Sequence, residues 1–255
     1  GGVLFVPLAA SFFPFHIDFV RGTGLFIALG SSLAAAPHLL EKNLASLKLA
    51  MPSALVASTF AIIGAFLGLW LSALNPAYIQ GSLGVTIIGI VFIMLFAKNS
   101  ENPSVTHGNY LTQLLQINGI YTEETTGKEI RWTVHNTTKG MLGFVIVGLL
   151  AGIFGLGAGW ANVAILNLVM GAPVKVAVAT SSFALSITDS TAAWIYMNKG
   201  AVLPILTVPS MIGIMLGANI GSKLLPKVKP SVIRNMVIGV LFFAGVRSLM
   251  KAFGI

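Results

Sequence analysis

Long apolar runs joined by short polar connections make up most of the chain. A helix that crosses a hydrocarbon core of about 30 Å needs about 20 apolar residues, and six runs approach or exceed that length. The predicted spans are 23–40, 49–74, 78–97, 174–197, 200–222 and 231–253. The pattern therefore predicts an all-α polytopic membrane protein whose helices cross the bilayer at these positions.

A further run, 141–171, is too long for one crossing, because a helix of that length extends about 46 Å. Gly155, Gly157 and Gly159 interrupt it near the middle. The run is either one bent, tilted span or a hairpin whose glycine tip stops inside the membrane. A hairpin places eleven of the 15 Lys and Arg residues on one side, whereas a single span divides them nine to six. The positive-inside rule therefore favours the hairpin, which predicts two inverted structural repeats whose re-entrant helices meet near mid-membrane.

The same order of glycines and small polar residues occurs twice in the chain. The first copy has Gly1-Gly2 and then Gly30-Ser31-Ser32, and the second has Gly155 to Gly159 and then Thr180-Ser181-Ser182. This duplication predicts a first transmembrane repeat at 1–98, which is incomplete at its N-terminal end, and a second at 139–255. Glycine-broken apolar helices at matching places in two halves are typical of transporter binding sites.

A polar insert at 99–138 separates the two predicted repeats. Within it and just beyond, residues 121–134 alternate on either side of a Thr-Gly pair. This pattern predicts a small β-hairpin, and a disordered linker is the equally weighted alternative.

Composition and charge argue against a soluble domain, a nucleic-acid-binding protein and an enzyme. The chain is 56% hydrophobic and 9% charged, with a mean hydropathy of +0.90, whereas soluble domains carry about 25% charged residues. It has no cysteine, which excludes disulfides and thiolate chemistry. The net charge of +8 comes from basic residues in the short connections, a placement typical of membrane orientation and not of nucleic-acid binding. Without a nucleophile–base pair, a metal-ligand pair or a phosphate-binding loop, we expect no enzyme, no cofactor and no metal.

The glycine tips predict a site for a small anion. Helices that start after Gly2 and Gly159 direct unpaired N–H groups and a partial positive charge toward mid-membrane, and nearby hydroxyl and amide groups add donors. The predicted binding residues are Gly1, Gly2, Ser31, Ser32, Gly157, Ala158, Gly159, Asn162, Thr180, Ser181 and Ser182. Two alternatives stay open: the glycines serve only close helix packing, and the hydroxyls bond back to their own helices.

Four ionisable residues are candidates for coupling or steering. Asp189 lies inside a predicted span, where a charge is costly, so it is a proton-coupling candidate unless it hydrogen-bonds to neighbouring hydroxyls. His38 titrates near neutral pH and is the second coupling candidate, or an interfacial residue. Arg21 and Lys175 precede the hydroxyl-bearing spans and either draw anions inward or only orient the chain at the surface. A site with no fixed internal Lys or Arg suits an oxyanion that must also be released.

Two segments, GLGAGWANVAIL at 155–166 and GAPVKVAVATSS at 171–182, resemble the sulfite exporter TauE/SafE family, also called the toluenesulfonate uptake permeases. The resemblance covers nearly the whole chain except the polar insert. It implies a multi-pass protein of the plasma (inner) membrane that exports sulfite or a small organosulfonate, with the proton gradient as the expected driving force. The alternatives are a small-anion channel, and a membrane sensor or scaffold acting through the insert. A homodimer is one candidate for the oligomeric state.

Overall fold

A computed structural model describes residues 2–41, 45–96, 112, 114–115, 117–122, 129–224 and 230–254. The described part contains nine α-helices, one π-helical turn and two strands. The helices are α1 (Gly2–Phe12), α2 (Ile17–Glu41), α3 (Leu47–Leu74), α4 (Pro76–Phe96), α5 (Thr137–Phe154), α6 (Gly159–Ala164), α7 (Val174–Asn198), α8 (Pro204–Leu224) and α9 (Pro230–Ala252). The π-helical turn (Ile165–Val169) continues α6, and the strands are β1 (Asn118–Thr122) and β2 (Glu129–Thr133).

The structure confirms an all-α membrane protein, with a helix at each of the six predicted spans. By length and composition, three described segments qualify as candidate membrane spans, with mean hydropathies of 1.2, 2.1 and 1.7. They are Ile17–Ala34, Leu47–Leu74 and Thr137–Phe154. Several large apolar side chains lie on the outside of the fold, among them Leu55, Val85 and Ile205. An exterior of this kind suits contact with lipid and would be a liability in water.

The chain folds back on itself between α5 and α6, so the run around 141–171 is a hairpin and not one bent span. α5 is capped by Gly155, which has a φ of +65°, and Gly157 follows with a φ of +58°. Glycine adopts this left-handed conformation without steric penalty. The returning segment lies beside the start of α5, because the backbone N–H of His135 donates to the carbonyl of Met170 at 2.8 Å. Gly143 of α5 packs against Ile165 in the same way.

Two pairs of neighbouring helices, α2 with α7 and α4 with α9, run antiparallel. Near its start, α2 packs against the residues that follow α7, where Gly22 meets Ala201. Beyond the end of α2, the backbone N–H of Ser46 donates to the hydroxyl of Thr180 near the start of α7, at 3.1 Å. α4 and α9 are paired in the same sense: Gly84 lies against Leu249, and Ile88, further along α4, lies against Gly245.

The predicted β-hairpin is confirmed, with β1 and β2 paired antiparallel from Asn118 opposite Thr133 to Thr122 opposite Glu129. Residues 123–128, where the sequence predicts the turn, lie outside the described residues. Trp132 and Val134 are buried against Phe144 of α5 in one apolar cluster. The strand pair is therefore attached to the membrane helices through its apolar side chains.

Candidate functional site

The glycine breaks of the two halves meet. A Cβ atom built on Gly2, at the start of α1, would lie 2.7 Å from the carbonyl oxygen of Leu156 and 2.9 Å from that of Gly24. One built on Gly24 of α2 would lie 2.6 Å from the carbonyl oxygen of Gly155. These distances leave no room for a side chain. Glycine at these positions therefore allows the backbones of α1, α2 and the segment at Gly155 and Leu156 to approach one another.

A cavity of about 300 Å³ lies beside this meeting point. Both halves line it, mostly with apolar groups. Its lining residues are Val3, Leu4, Ala28, Ser31, Ile90, Gly157, Gly159, Trp160, Leu185 and Leu241. Three of the predicted binding residues are among them: Ser31, Gly157 and Gly159.

Three of the predicted hydroxyl ligands bond to their own helices. Ser31, Ser32 and Ser182 donate to the carbonyl three or four residues earlier, at 2.9, 2.9 and 3.0 Å. This is the local bonding that serine and threonine commonly make inside helices. Among these three hydroxyls, only that of Ser31 belongs to a residue that lines the cavity.

The other two hydroxyls tie elements together. The hydroxyl of Ser181 donates to the carbonyl oxygen of Gly159 at 3.2 Å, which attaches α7 to the start of α6. Thr180 accepts the backbone N–H of Ser46, the residue directly before α3. Both side chains are buried. The second triplet therefore holds the glycine tip and the start of α3 in place.

The tip between α5 and α6 presents fewer free donors than its glycines predict. The N–H of Gly159 donates to the carbonyl oxygen of Gly157 at 2.8 Å, and Ala158 is buried. Asn162 is also buried, and its side-chain oxygen has no hydrogen-bond partner in the described part of the chain. It does not line the cavity.

Sequence reasoning missed Trp160, which lines the cavity. Its indole nitrogen is buried and has no hydrogen-bond partner among the described residues. A buried indole N–H usually finds an acceptor, and this one has none among the described residues. The signal in the sequence was a tryptophan directly after the glycine run.

Asp189 lies behind the same tip. Its side chain is 0% exposed, and neither carboxyl oxygen has a hydrogen-bond partner in the described ranges. A Cβ atom on Gly157 would come within 3.4 Å of one of these oxygens. The alternative predicted from the sequence was hydrogen bonding to nearby hydroxyls. That alternative, which named Thr188, Ser190 and Thr191, is wrong, because all three hydroxyls donate to backbone carbonyls of α7.

Two expectations about Arg21 are wrong. It is not a surface charge, and the interior does contain a fixed arginine. Its side chain is 0% exposed, with one guanidinium nitrogen 3.1 Å from a carboxyl oxygen of Asp18. Another donates to the carbonyl of Gly68 at 3.3 Å, and the guanidinium lies 5.2 Å from the ring centre of Tyr196. The predicted span began after Arg21, whereas α2 begins at Ile17. Asp18, one turn earlier, supplies the opposite charge that permits burial.

The remaining candidates lie away from the cavity or outside the described residues. Lys175 is exposed in the first turn of α7. Gly1 and the side chain of His38 lie outside the described residues. For these three the roles named from the sequence stay predictions.

Comparison with known proteins agrees with the resemblance seen in the two glycine-rich segments. The family model described as "Sulfite exporter TauE/SafE" matches residues 1–248, which is nearly the whole chain. No curated protein and no solved structure matches it.

Proposed function

Because this chain belongs to the sulfite exporter TauE/SafE family, a family of membrane transporters, we propose that it is a secondary transporter that exports sulfite or a small organosulfonate. The observation that carries the proposal is the cavity of about 300 Å³ beside the meeting point of the two glycine breaks. That volume lies at the lower end of the range for small-molecule sites, which suits a small oxyanion. The plasma membrane is the compartment that export requires.

Alternating access would come from two inverted repeats that move against each other around the cavity. The antiparallel course of α2 against α7 and of α4 against α9 supports this arrangement. So does the hairpin formed by α5 and α6. The cavity takes its lining from both halves, so a relative movement of the halves would open it to one side and then to the other.

Neutral donors would hold the anion in the cavity. The hydroxyl of Ser31 is at the cavity wall and can rotate away from its own helix to donate. The indole N–H of Trp160 is buried without a partner in the described part of the chain, and it would donate to the anion after the ring turns toward the cavity. Neutral donors bind an oxyanion less tightly than a charged partner does, so they suit a site that must also release its ligand.

Asp189 is our candidate for coupling export to protons. It is buried beside Gly157, a lining residue of the cavity. An ionised carboxylate without a partner is costly inside a membrane, so the group is expected to exchange a proton when the cavity changes its access to water. The carboxyl would lose its proton on one side and regain it on the other.

The test is sulfite flux in proteoliposomes, with and without an imposed pH gradient. Ser31→Ala is compared with Ser32→Ala, which removes a neighbouring hydroxyl with the same local hydrogen bond but no place in the cavity lining. We expect the half-saturating sulfite concentration to rise about tenfold in Ser31→Ala, since one hydrogen bond to a charged ligand is lost. Ser32→Ala is expected to resemble the wild type.

Each arm of the experiment has an outcome that contradicts part of the proposal. Wild-type vesicles that carry no sulfite or sulfonate would remove the transport function itself. Sulfite flux that is the same with and without the pH gradient would favour an anion channel over a proton-coupled transporter. If Asp189→Asn kept the pH dependence of the wild type, the carboxyl would have no part in coupling.

A further inference from the structure

One face of α2 connects the buried charge pair to the cavity. Asp18, Arg21, Gly24, Ala28 and Ser31 follow each other at intervals of three or four residues, so they lie along the same face of the helix. The last two line the cavity. The first two form the ion pair.

The second glycine tip lies against this face between the two ends. Gly155 packs on the backbone of Arg21, and Gly157 packs on Ala28. Since a helix rises 1.5 Å per residue, Arg21 is about 10 Å along α2 from Ala28. The tip therefore separates the cavity from Arg21.

The guanidinium of Arg21 is buried, and part of its hydrogen-bonding capacity is unused. It has five N–H donors, of which one bonds to the carbonyl of Gly68 at 3.3 Å. Neither Nε nor Nη2 has a hydrogen-bond partner among the described residues, although Nη2 is 3.1 Å from Asp18. The carboxyl oxygen that faces Nη2 also lacks a hydrogen bond. Unused donors inside a protein are unfavourable, so this group is suited to a further acceptor.

One member of the charge pair is partly exposed to solvent. The side chain of Asp18 is 18% exposed, and His16, which is 48% exposed, lies 3.6 Å from its second carboxyl oxygen. Movement of the Asp18 carboxylate toward solvent would free one side of the guanidinium, whose other neighbours are Gly68 and Tyr196.

From these observations we propose that Arg21 is a second binding subsite for the transported anion, and that the Asp18 carboxylate occupies it when the anion is absent. The inference rests on the proposed transport function and deepens it. An oxyanion with two oxygens on one face, as in sulfite or a sulfonate group, matches the paired N–H donors of a guanidinium. Return of the Asp18 carboxylate to Arg21 then displaces the anion, so a fixed internal cation does not trap it.

The decisive test is the double variant Asp18→Asn/Arg21→Gln, assayed for sulfite flux in proteoliposomes beside the wild type. Both charges are removed, so no unpaired buried charge remains to unfold the protein. If Arg21 binds the anion, the half-saturating sulfite concentration rises about tenfold or more, as expected for the loss of hydrogen bonds to a charged ligand. If the pair only stabilises the fold, this neutral pair transports like the wild type, and the inference is overturned.

Arg21→Lys provides a second, independent measurement. It keeps the positive charge and the pairing with Asp18, but it loses the planar fork of donors. We expect a raised half-saturating concentration for sulfite, and an unchanged one would count against the subsite. Wild-type vesicles without sulfite flux would remove the proposed function, whereas wild-type flux with unaffected variants would remove only the second subsite.

Discussion

The helices α2 and α7, which carry the two predicted hydroxyl triplets, bury charge in opposite ways. Each is 25 residues long, and they pack antiparallel. α2 buries Arg21 together with a partner, Asp18. α7 buries Asp189, whose carboxyl oxygens have no hydrogen-bond partner in the described part of the chain. One helix therefore carries a compensated pair of charges, and the other carries a single carboxyl that is stable inside a membrane only with a proton or with water.

The two hydroxyl triplets also differ in their contacts. In α2, Ser31 lines the cavity and is bonded only within its own helix. In α7, Thr180 and Ser181 bond to Ser46 and to Gly159, which lie in other elements. The two triplets contain similar residues, but their contacts differ. A similar sequence motif at two places therefore does not predict the same contacts at both.

The largest difference between the two helices is expected in stability. Asp18→Asn leaves Arg21 buried without a counter-charge, so the free energy of unfolding is expected to fall by about 3–5 kcal/mol. Asp189→Asn exchanges one unpartnered polar group for another and is expected to change it by less than about 1 kcal/mol. Denaturant unfolding of the purified protein in detergent, followed by tryptophan fluorescence, measures both.

The control is again the double variant Asp18→Asn/Arg21→Gln. Because it contains no unpaired charge, it is expected to regain most of the stability that Asp18→Asn loses. Equal losses in Asp18→Asn and Asp189→Asn would contradict the contrast between a paired and an unpaired buried charge.

The positions of the helices were predictable because they depend on local properties. Apolar length located α3 and α4 to within two residues, and the glycines at 155–159 located the tip. The fold-back of the chain at that tip followed from the distribution of Lys and Arg residues. Each of these signals is contained in a short segment or in a count along the chain.

The environment of Arg21 was not predictable in this way. Its burial depends on Gly68, 47 positions away along the chain, and on Tyr196 of α7. Nor did the sequence distinguish Ser31 from Ser32, since α2 is apolar on most sides and has no clear polar face to orient it. Such assignments depend on which helices become neighbours, and that information is tertiary.

A smaller loss of stability is expected for a substitution at Gly157, which lies between Ala28 of α2 and Asp189 of α7. A Cβ atom there would collide with that of Ala28 on α2 and reach within 3.4 Å of Asp189 on α7. Its left-handed φ of +58° adds strain for any other residue. Gly157→Ala is therefore expected to lower the free energy of unfolding by about 2–4 kcal/mol.

The matched control for this variant is Gly213→Ala in α8. No atom lies within 4 Å of a Cβ atom built at Gly213, so alanine is expected to stabilise the helix by about 0.5–1 kcal/mol. The same unfolding assay measures both variants. Similar stabilities for the two would mean that the tip does not pack between α2 and α7 as described.

The smallest expected effect compares Thr180 with Ser31. Thr180→Ala removes the acceptor of the Ser46 N–H, so the free energy of unfolding is expected to fall by about 1 kcal/mol. Ser31→Ala removes only a bond within α2 and is expected to change it by less than about 0.5 kcal/mol. Thr180→Ser keeps the hydroxyl and should stay closer to the wild type than Thr180→Ala does. A larger loss of stability in Ser31→Ala than in Thr180→Ala would contradict this comparison. It would mean that the Ser31 hydroxyl, and not that of Thr180, stabilises the fold.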